Sequence, residues 1–374
     1  MAYISKDWKG KEFFKINDFN HIEFYVSNAK QAVHFYQSVF GFKAYAYCGP
    51  ETGYRDKVSY VLKQKNIFFV FTTPLISSHP ASDWISKHGD GVRDIAVRVE
   101  CAREAYDSCL SRGAIGYSEP IVTEDKNGEY GKSSIKAYGE TIHSFISNSK
   151  YSGLWAPGFK KLEIPDLLKT EKVGLLRIDH IVANVEAHKM DNWKEYYENV
   201  FGFDTFVKFD ETDISTQYSS LKSVVVRSKN WKIKLPINEP AEGLKKSQIE
   251  EYIESNQGPG VQHIALTTSD IVSTIELLRS SGVDFLDVPD SYYDSLSDRV
   301  GVVDEDVRKL KKLKILVDRD EEGYLLQLFT KPVQDRPTLF IEIIQRKGSK
   351  GFGQGNFQAL FEAIEREQEK RGNL

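Results

Sequence analysis

The sequence predicts an α+β fold built from tandem βαβββ modules, and three observations carry that prediction. First, residues 18–42 (DFNHIEFYVSNAKQAVHFYQSVFGF) and 177–203 (RIDHIVANVEAHKMDNWKEYYENVFGF) repeat one another. Each has a short strand bearing a histidine (His21, His180), an amphipathic helix rich in aromatics, and a closing Phe-Gly-Phe. Second, residues 89–99 (GDGVRDIAVRV) match 258–268 (GPGVQHIALTT). Each reads as a glycine-rich turn and a strand, followed by a helix with a glycine exit. Third, both halves continue into further strands, where LFIEIIQR (339–346) corresponds to ETIHSFISN (140–148). Internal repeats of this kind define the architecture before any local detail.

Each element has its own justification. Gly41 and Gly202 sit where a helix must turn out in the left-handed conformation. Residues 314–317 and 324–330 flank a polar turn (DRDEEG) and read as a hairpin. In the C-terminal stretch GFGQGNFQALFEAIEREQEKRGNL, Phe357, Leu360, Phe361 and Ile364 follow the spacing of one apolar helix face, with Asn356 in the N-cap position. Little periodicity marks 149–175. The expected organisation is an N-terminal domain at 1–150, a linker at 151–175 and a C-terminal domain at 176–374.

Composition limits the functions. The chain has 374 residues, is 40% hydrophobic and carries a formal net charge of -4. The basic residues are scattered, which argues against a nucleic-acid or anionic-membrane partner. No window approaches the roughly 20 apolar residues of a spanning helix. The N-terminus lacks a signal-peptide pattern, and three cysteines (Cys48, Cys101, Cys109) lack metal-ligand spacing. A cytoplasmic protein is expected.

Glu342 lies inside an apolar, β-branched run, and an ionised carboxylate there costs several kcal/mol unless a cation pairs with it. His180 and His263 stand on two other strands of the same half. A lone strand histidine or glutamate is more often structural or solvated, but three at equivalent repeat positions, with one copy degraded, reverse the odds. Two imidazoles and one carboxylate form the facial set of non-haem Fe(II) oxygenases. The first half keeps His21, has Asp94 opposite His263, and by alignment has Phe145 opposite Glu342. One complete metal site, in the second half, is expected. His34, His79, His88, His143 and His188 receive no catalytic assignment.

The paired modules resemble the vicinal oxygen chelate superfamily, in which such units form half-barrels that cup a metal. The segments GVQHIAL, KLPINEP, KKSQI, GYLLQLFTKPVQDRPTLFIEIIQR and GFGQGNF resemble, more narrowly, the 4-hydroxyphenylpyruvate dioxygenases. The likeness spans nearly the whole chain and is most specific from Gly323 to Gly355. It implies an Fe(II) enzyme of tyrosine catabolism that converts 4-hydroxyphenylpyruvate and O2 to homogentisate and CO2, with His180, His263 and Glu342 as metal ligands. It also implies that Ser223, Asn238, Gln248, Gln262 and Gln327 serve catalysis, and that Phe329, Phe340, Phe352, Asn356 and Phe357 bind substrate. By the same resemblance the C-terminal helix is a lid and the protein a homodimer. The alternatives are a 4-hydroxymandelate synthase acting on the same substrate, an extradiol ring-cleaving dioxygenase, and a non-catalytic binding protein of the superfamily.

Overall fold

The computed structural model describes residues 3–4, 7–162, 173–210, 216 and 218–373. Two curled, mixed sheets of nine strands each dominate it. In the N-terminal half, neighbouring strands run Lys160–Lys161, Lys43–Cys48, Lys57–Gln64, Ile67–Pro74, Ile16–Tyr25, Gly91–Val99, Ile142–Ser147, Gly128–Lys136 and Gly116–Asp125. In the C-terminal half they run Tyr3–Ile4, Asp204–Phe209, Ser220–Arg227, Lys234–Ala241, Leu175–Asn184, Gly260–Thr268, Phe340–Lys347, Tyr324–Phe329 and Leu316–Arg319. The two orders correspond strand for strand, so the repeat extends to topology.

The ends of the chain complicate this symmetry. Tyr3–Ile4 pairs with Asp204–Phe209, at the edge of the C-terminal sheet. Lys160–Lys161, inside the expected linker, pairs with Lys43–Cys48 at the edge of the N-terminal sheet. Sheet membership therefore does not follow divisions at residues 150 and 175; the remainder of that linker, 163–172, lies outside the described residues.

Both repeat helices end as the Phe-Gly-Phe motif suggests. Gly41 closes the helix Ala29–Phe40 at φ 72°, and Gly202 closes the second copy at the same φ. A side chain at either φ would be strained. The second copy differs, because its helix Met190–Tyr196 widens into a π-turn over Tyr197–Phe201.

One continuous apolar core joins the halves. Phe14 meets Phe145 at 5.5 Å between ring centroids and Phe201 at 6.1 Å. The buried His143 bridges the same seam: its Nδ1–H donates to the Ile95 carbonyl at 3.0 Å, and its Nε2 accepts from the Tyr197 hydroxyl at 2.8 Å. Burial pushes the imidazole down to about 4. Unfolding then takes up a proton between that value and the ordinary 6.5, so this contribution to stability is full above about pH 6.5 and lost as pH falls towards 4, to a maximum of about 3 kcal/mol. In His143→Gln, the gap between urea midpoints measured at pH 7 and pH 5 should narrow relative to wild type.

Strand register corrects one sequence expectation. Asp94 pairs with Ile142 and Val97 with Phe145, which sets Ala96 opposite Ser144. In the other half Ala265, the counterpart of Ala96, pairs with Glu342. The residue equivalent to Glu342 is thus Ser144, and Phe145 points the other way, into the apolar core. A one-residue shift moves a side chain to the opposite face of a strand.

Candidate metal centre and its cavity

Three strands of the C-terminal sheet deliver His180, His263 and Glu342 to one point. The strand Leu175–Asn184 pairs antiparallel with Gly260–Thr268, which pairs parallel with Phe340–Lys347. Side chains two apart share a strand face, so each strand sends alternate residues to the concave side. Glu342 Oε2 lies 3.1 Å from His180 Nε2 and 3.3 Å from His263 Nε2. All three residues are buried.

The hydrogen bonds behind the imidazoles fix what their Nε2 atoms can do. His180 Nδ1–H donates to Asp179 Oδ2 at 2.8 Å, and His263 Nδ1–H donates to Gln262 Oε1 at 3.0 Å. In the neutral ring the proton on Nδ1 leaves a lone pair on Nε2. Two lone pairs and a carboxylate oxygen then converge, an arrangement that requires a cation or a proton between them. Such support behind ligating histidines orients them and raises their basicity. Burial alone would raise Glu342, but when the imidazoles beside it carry a proton on Nε2 they overcome burial and lower the carboxyl to about 2, the proton then acting as the cation between them. His180 is raised, since Glu342 and Asp179 outweigh burial; burial wins at His263, which is lowered. Two imidazoles and one carboxylate on a concave face fit an octahedral divalent metal that keeps open positions.

Asp179 anchors a charged cluster that the sequence reading did not single out. Arg346 Nε and Nη2 donate to its two oxygens at 3.0 and 2.8 Å, and Lys234 Nζ donates at 2.9 Å. Burial would raise this carboxyl; Arg346 and Lys234 hold it well below the usual carboxylate range. Arg346 also donates through Nη1 to the backbone carbonyls of Gly351, at 2.6 Å, and Ser349, at 3.3 Å. One guanidinium therefore joins the support of His180 to the glycine segment ahead of the C-terminal helix. The signal was available: Asp179 precedes His180 as Asn20 precedes His21, and Arg346 closes the LFIEIIQR run.

A cavity opens beside the triad, lined by Ser223, Asn238, Gln248, Gln262, Gln327, Phe329, Phe340, Phe352 and Phe357. Nine of the ten expected helper residues are thereby gathered around His180, His263 and Glu342. The tenth, Asn356, does not line it. It is buried below the start of the helix Phe357–Lys370, where its Oδ1 accepts from the Tyr292 hydroxyl at 2.6 Å, and its side chain makes no cap bond. Gln262 is partly committed to His263. Among the described residues, the side chains of Ser223, Gln248 and Gln327 meet no protein hydrogen-bonding partner and face the cavity. Buried polar groups left in that state are available to a ligand.

Aromatic rings shape the rest. Phe340 stacks on His263 at 4.8 Å, and Phe329 meets the same imidazole edge-on at 5.9 Å. Phe352 meets His180 edge-on at 5.0 Å. The apolar face of the C-terminal helix (Phe357, Leu360, Phe361, Ile364) forms the opposite wall. Gly353 sits at φ 77°, where a side chain would be strained, and a Cβ there would come within 2.5 Å of Gln327 Nε2 and push that amide aside.

The far end of that helix is tied down. Arg371 donates twice to Glu251, at 3.0 and 2.7 Å, and Asn373 Nδ2 adds a bond of 2.8 Å. Glu251 belongs to the helix Gln248–Asn256, whose first residue is one of the open amides. Arg371→Ala should lower kcat/KM by roughly thirty-fold, the equivalent of about 2 kcal/mol for bonds to a charged partner, and should speed proteolysis near the C-terminus. An unchanged kcat/KM would show that the tie has no part in closing the cavity.

Comparison with known proteins agrees with this geometry. The model of the Glyoxalase/Bleomycin resistance protein/Dioxygenase superfamily matches residues 18–129 and 177–328, one stretch in each half. A 4-hydroxyphenylpyruvate dioxygenase of Dictyostelium discoideum is 48% identical over 364 residues, covering 95% of this chain and 99% of the relative. The chain belongs to the 4-hydroxyphenylpyruvate dioxygenase family. A family member of Danio rerio is 47% identical over 381 residues, covering 100% of this chain and 96% of the relative. Among solved structures, a triple mutant of 4-hydroxymandelate synthase from Streptomyces coelicolor superposes with a TM-score of 0.83 at 29% identity, covering 94% of this chain and 99% of that one. Membership makes the chain an enzyme, a dioxygenase. No helix among the described residues is long and apolar enough to cross a membrane.

Proposed function

We propose that the chain is an Fe(II) enzyme that converts 4-hydroxyphenylpyruvate and O2 to homogentisate and CO2, a step of tyrosine catabolism. The observation that carries this reading is the convergence of two Nε2 lone pairs and a buried carboxylate beside an aromatic cavity whose free polar groups are neutral. His180, His263 and Glu342 would hold the iron, which when bound would supply O2 activation and a binding point for the 2-oxo acid. The reaction balances without a second reductant, since the substrate's own keto acid provides the electrons. One oxygen atom enters the new carboxylate as CO2 leaves; the other enters the ring, and the side chain moves to the neighbouring carbon.

The residues of the chain then bind, orient and exclude water. Phe329 and Phe340 offer a wall for the phenyl ring in offset or edge-on geometry. Ser223, Asn238, Gln248 and Gln327 can hydrogen-bond the phenol hydroxyl and the carboxylate without adding charge near the metal. Phe352, Phe357, Leu360, Phe361 and Ile364 close the dry side, so the C-terminal helix serves as a lid. A homodimer and a cytoplasmic location belong to the same reading, on family resemblance.

The test is oxygen uptake by the iron-loaded protein with 4-hydroxyphenylpyruvate, with the product resolved by chromatography. Stoichiometric homogentisate is expected. 4-Hydroxymandelate as the main product would transfer the chain to the activity named for its structural neighbour, and no uptake would overturn the enzyme reading.

A further inference from the structure

The N-terminal sheet repeats the constellation of the metal centre with its charges rearranged. His21 opposes Ala96 as His180 opposes Ala265, and Glu23 opposes Asp94 as Val182 opposes His263. Lys132 opposes Ile146 as Gln327 opposes Ile344. Ser59 and Thr72 pair as Ser223 and Asn238 do. The carboxylate missing at Ser144 is thus regained at Glu23, two residues along from His21, and an ammonium stands where the other half has a neutral amide.

The groups also meet as ligands would. One ligand-type atom from each of His21, Glu23 and Asp94 lies within 4.8 Å of the others. His21 Nδ1–H donates to Asn20 Oδ1 at 2.7 Å, which leaves its Nε2 lone pair free, the same support that Asp179 gives His180. Trp155 covers His21 edge-on at 5.3 Å, much as Phe352 covers His180 at 5.0 Å. Ser144 donates to both oxygens of Asp94, through its N–H at 2.9 Å and its hydroxyl at 2.5 Å, and the Thr72 hydroxyl donates to Glu23 at 2.6 Å, which leaves two partly satisfied carboxylates that still attract positive charge. The half-buried Lys132 is the source of it: desolvation works against its charge, and Asp94 and Glu23 overcome that and raise it. Its field opposes burial at both acids and, with Lys57 and Thr72, prevails at Glu23, which is lowered, whereas burial prevails at Asp94, which is raised to about 6.

We propose that this N-terminal cup is a second cation site, whose resident cation is the Lys132 ammonium and which takes up a divalent metal once that charge is withdrawn. One imidazole and two carboxylates suit a hard or borderline ion such as Mn(II).

The experiment is equilibrium dialysis of the full chain against Mn(II), with the bound ion counted by atomic emission. Wild type sets the baseline, so the outcome does not depend on which metal the other half prefers. Lys132→Gln, which installs the amide found at Gln327, should bind one equivalent more than wild type. Lys132→Gln combined with Asp94→Asn should lose it, and Lys132→Arg, which keeps the charge, should never gain it. A folded Lys132→Gln that binds no more than wild type overturns the proposal. Lys132→Met is the second neutral variant. If neither neutral variant folds, as judged by circular dichroism, the lysine is structural and the proposal fails as well.

Discussion

Glu342→Ala is expected to abolish coupled turnover and to reduce iron retention by more than about 100-fold, since loss of mere support behind a ligand already costs 10- to 100-fold. Among the described residues the carboxylate is the only anionic group at the convergence point, and both Nε2 atoms lie within 3.3 Å of it. Glu342→Gln separates charge from shape: it preserves volume and the strand, so the fold should survive while iron content still falls. Iron per chain after gel filtration and oxygen uptake with 4-hydroxyphenylpyruvate are the two readouts. A Gln variant that kept its iron and its rate would remove Glu342 from the ligand set.

Truncation after Gly351 should produce the second large effect. It deletes Phe352, Phe357, Leu360, Phe361 and Ile364 from the cavity wall and leaves all three candidate ligands in place. Iron binding is expected to persist, oxygen consumption to become uncoupled, and homogentisate to vanish. Phe361 is buried among Phe206, Phe209, Leu221, Val225 and Ile249, so the shortened chain will also expose apolar surface. Phe361→Ala is the gentler arm: removal of a buried phenyl ring costs about 3–5 kcal/mol, concentrated on the docking of the helix. A truncated protein with full activity would show that the helix only packs on the sheet.

Local pattern made the metal ligands and the C-terminal helix face legible, whereas the residues lining the cavity were legible only through the family resemblance. His180, His263 and Glu342 were found from a repeat, and the apolar helix face from its i, i+3, i+4, i+7 pattern. What escaped depends on partners far away in sequence. Phe145 and Ser144 are neighbours in ETIHSFISN, and only the pairing of Asp94 with Ile142 decides which one faces the cup. Asn356 has a good N-cap residue type, yet Tyr292, 64 residues away, captures its side chain. Tyr3–Ile4 and Lys160–Lys161 are too short for any periodicity and take their sheet from the neighbour they meet. The charged cluster at Asp179 joins residues 167 positions apart.

That cluster bears on how far the enzyme can be re-engineered. Arg346 holds the Gly351 carbonyl with one nitrogen and Asp179, the partner of His180, with two others. Any variant selected for a wider mouth, to admit bulkier aromatic acids, that pulls the glycine segment outward will draw on the same guanidinium that steadies the imidazole. Substrate scope and metal economy are therefore traded against each other in this scaffold. Libraries that vary the cavity wall while sparing residues 346–351 should escape that trade-off.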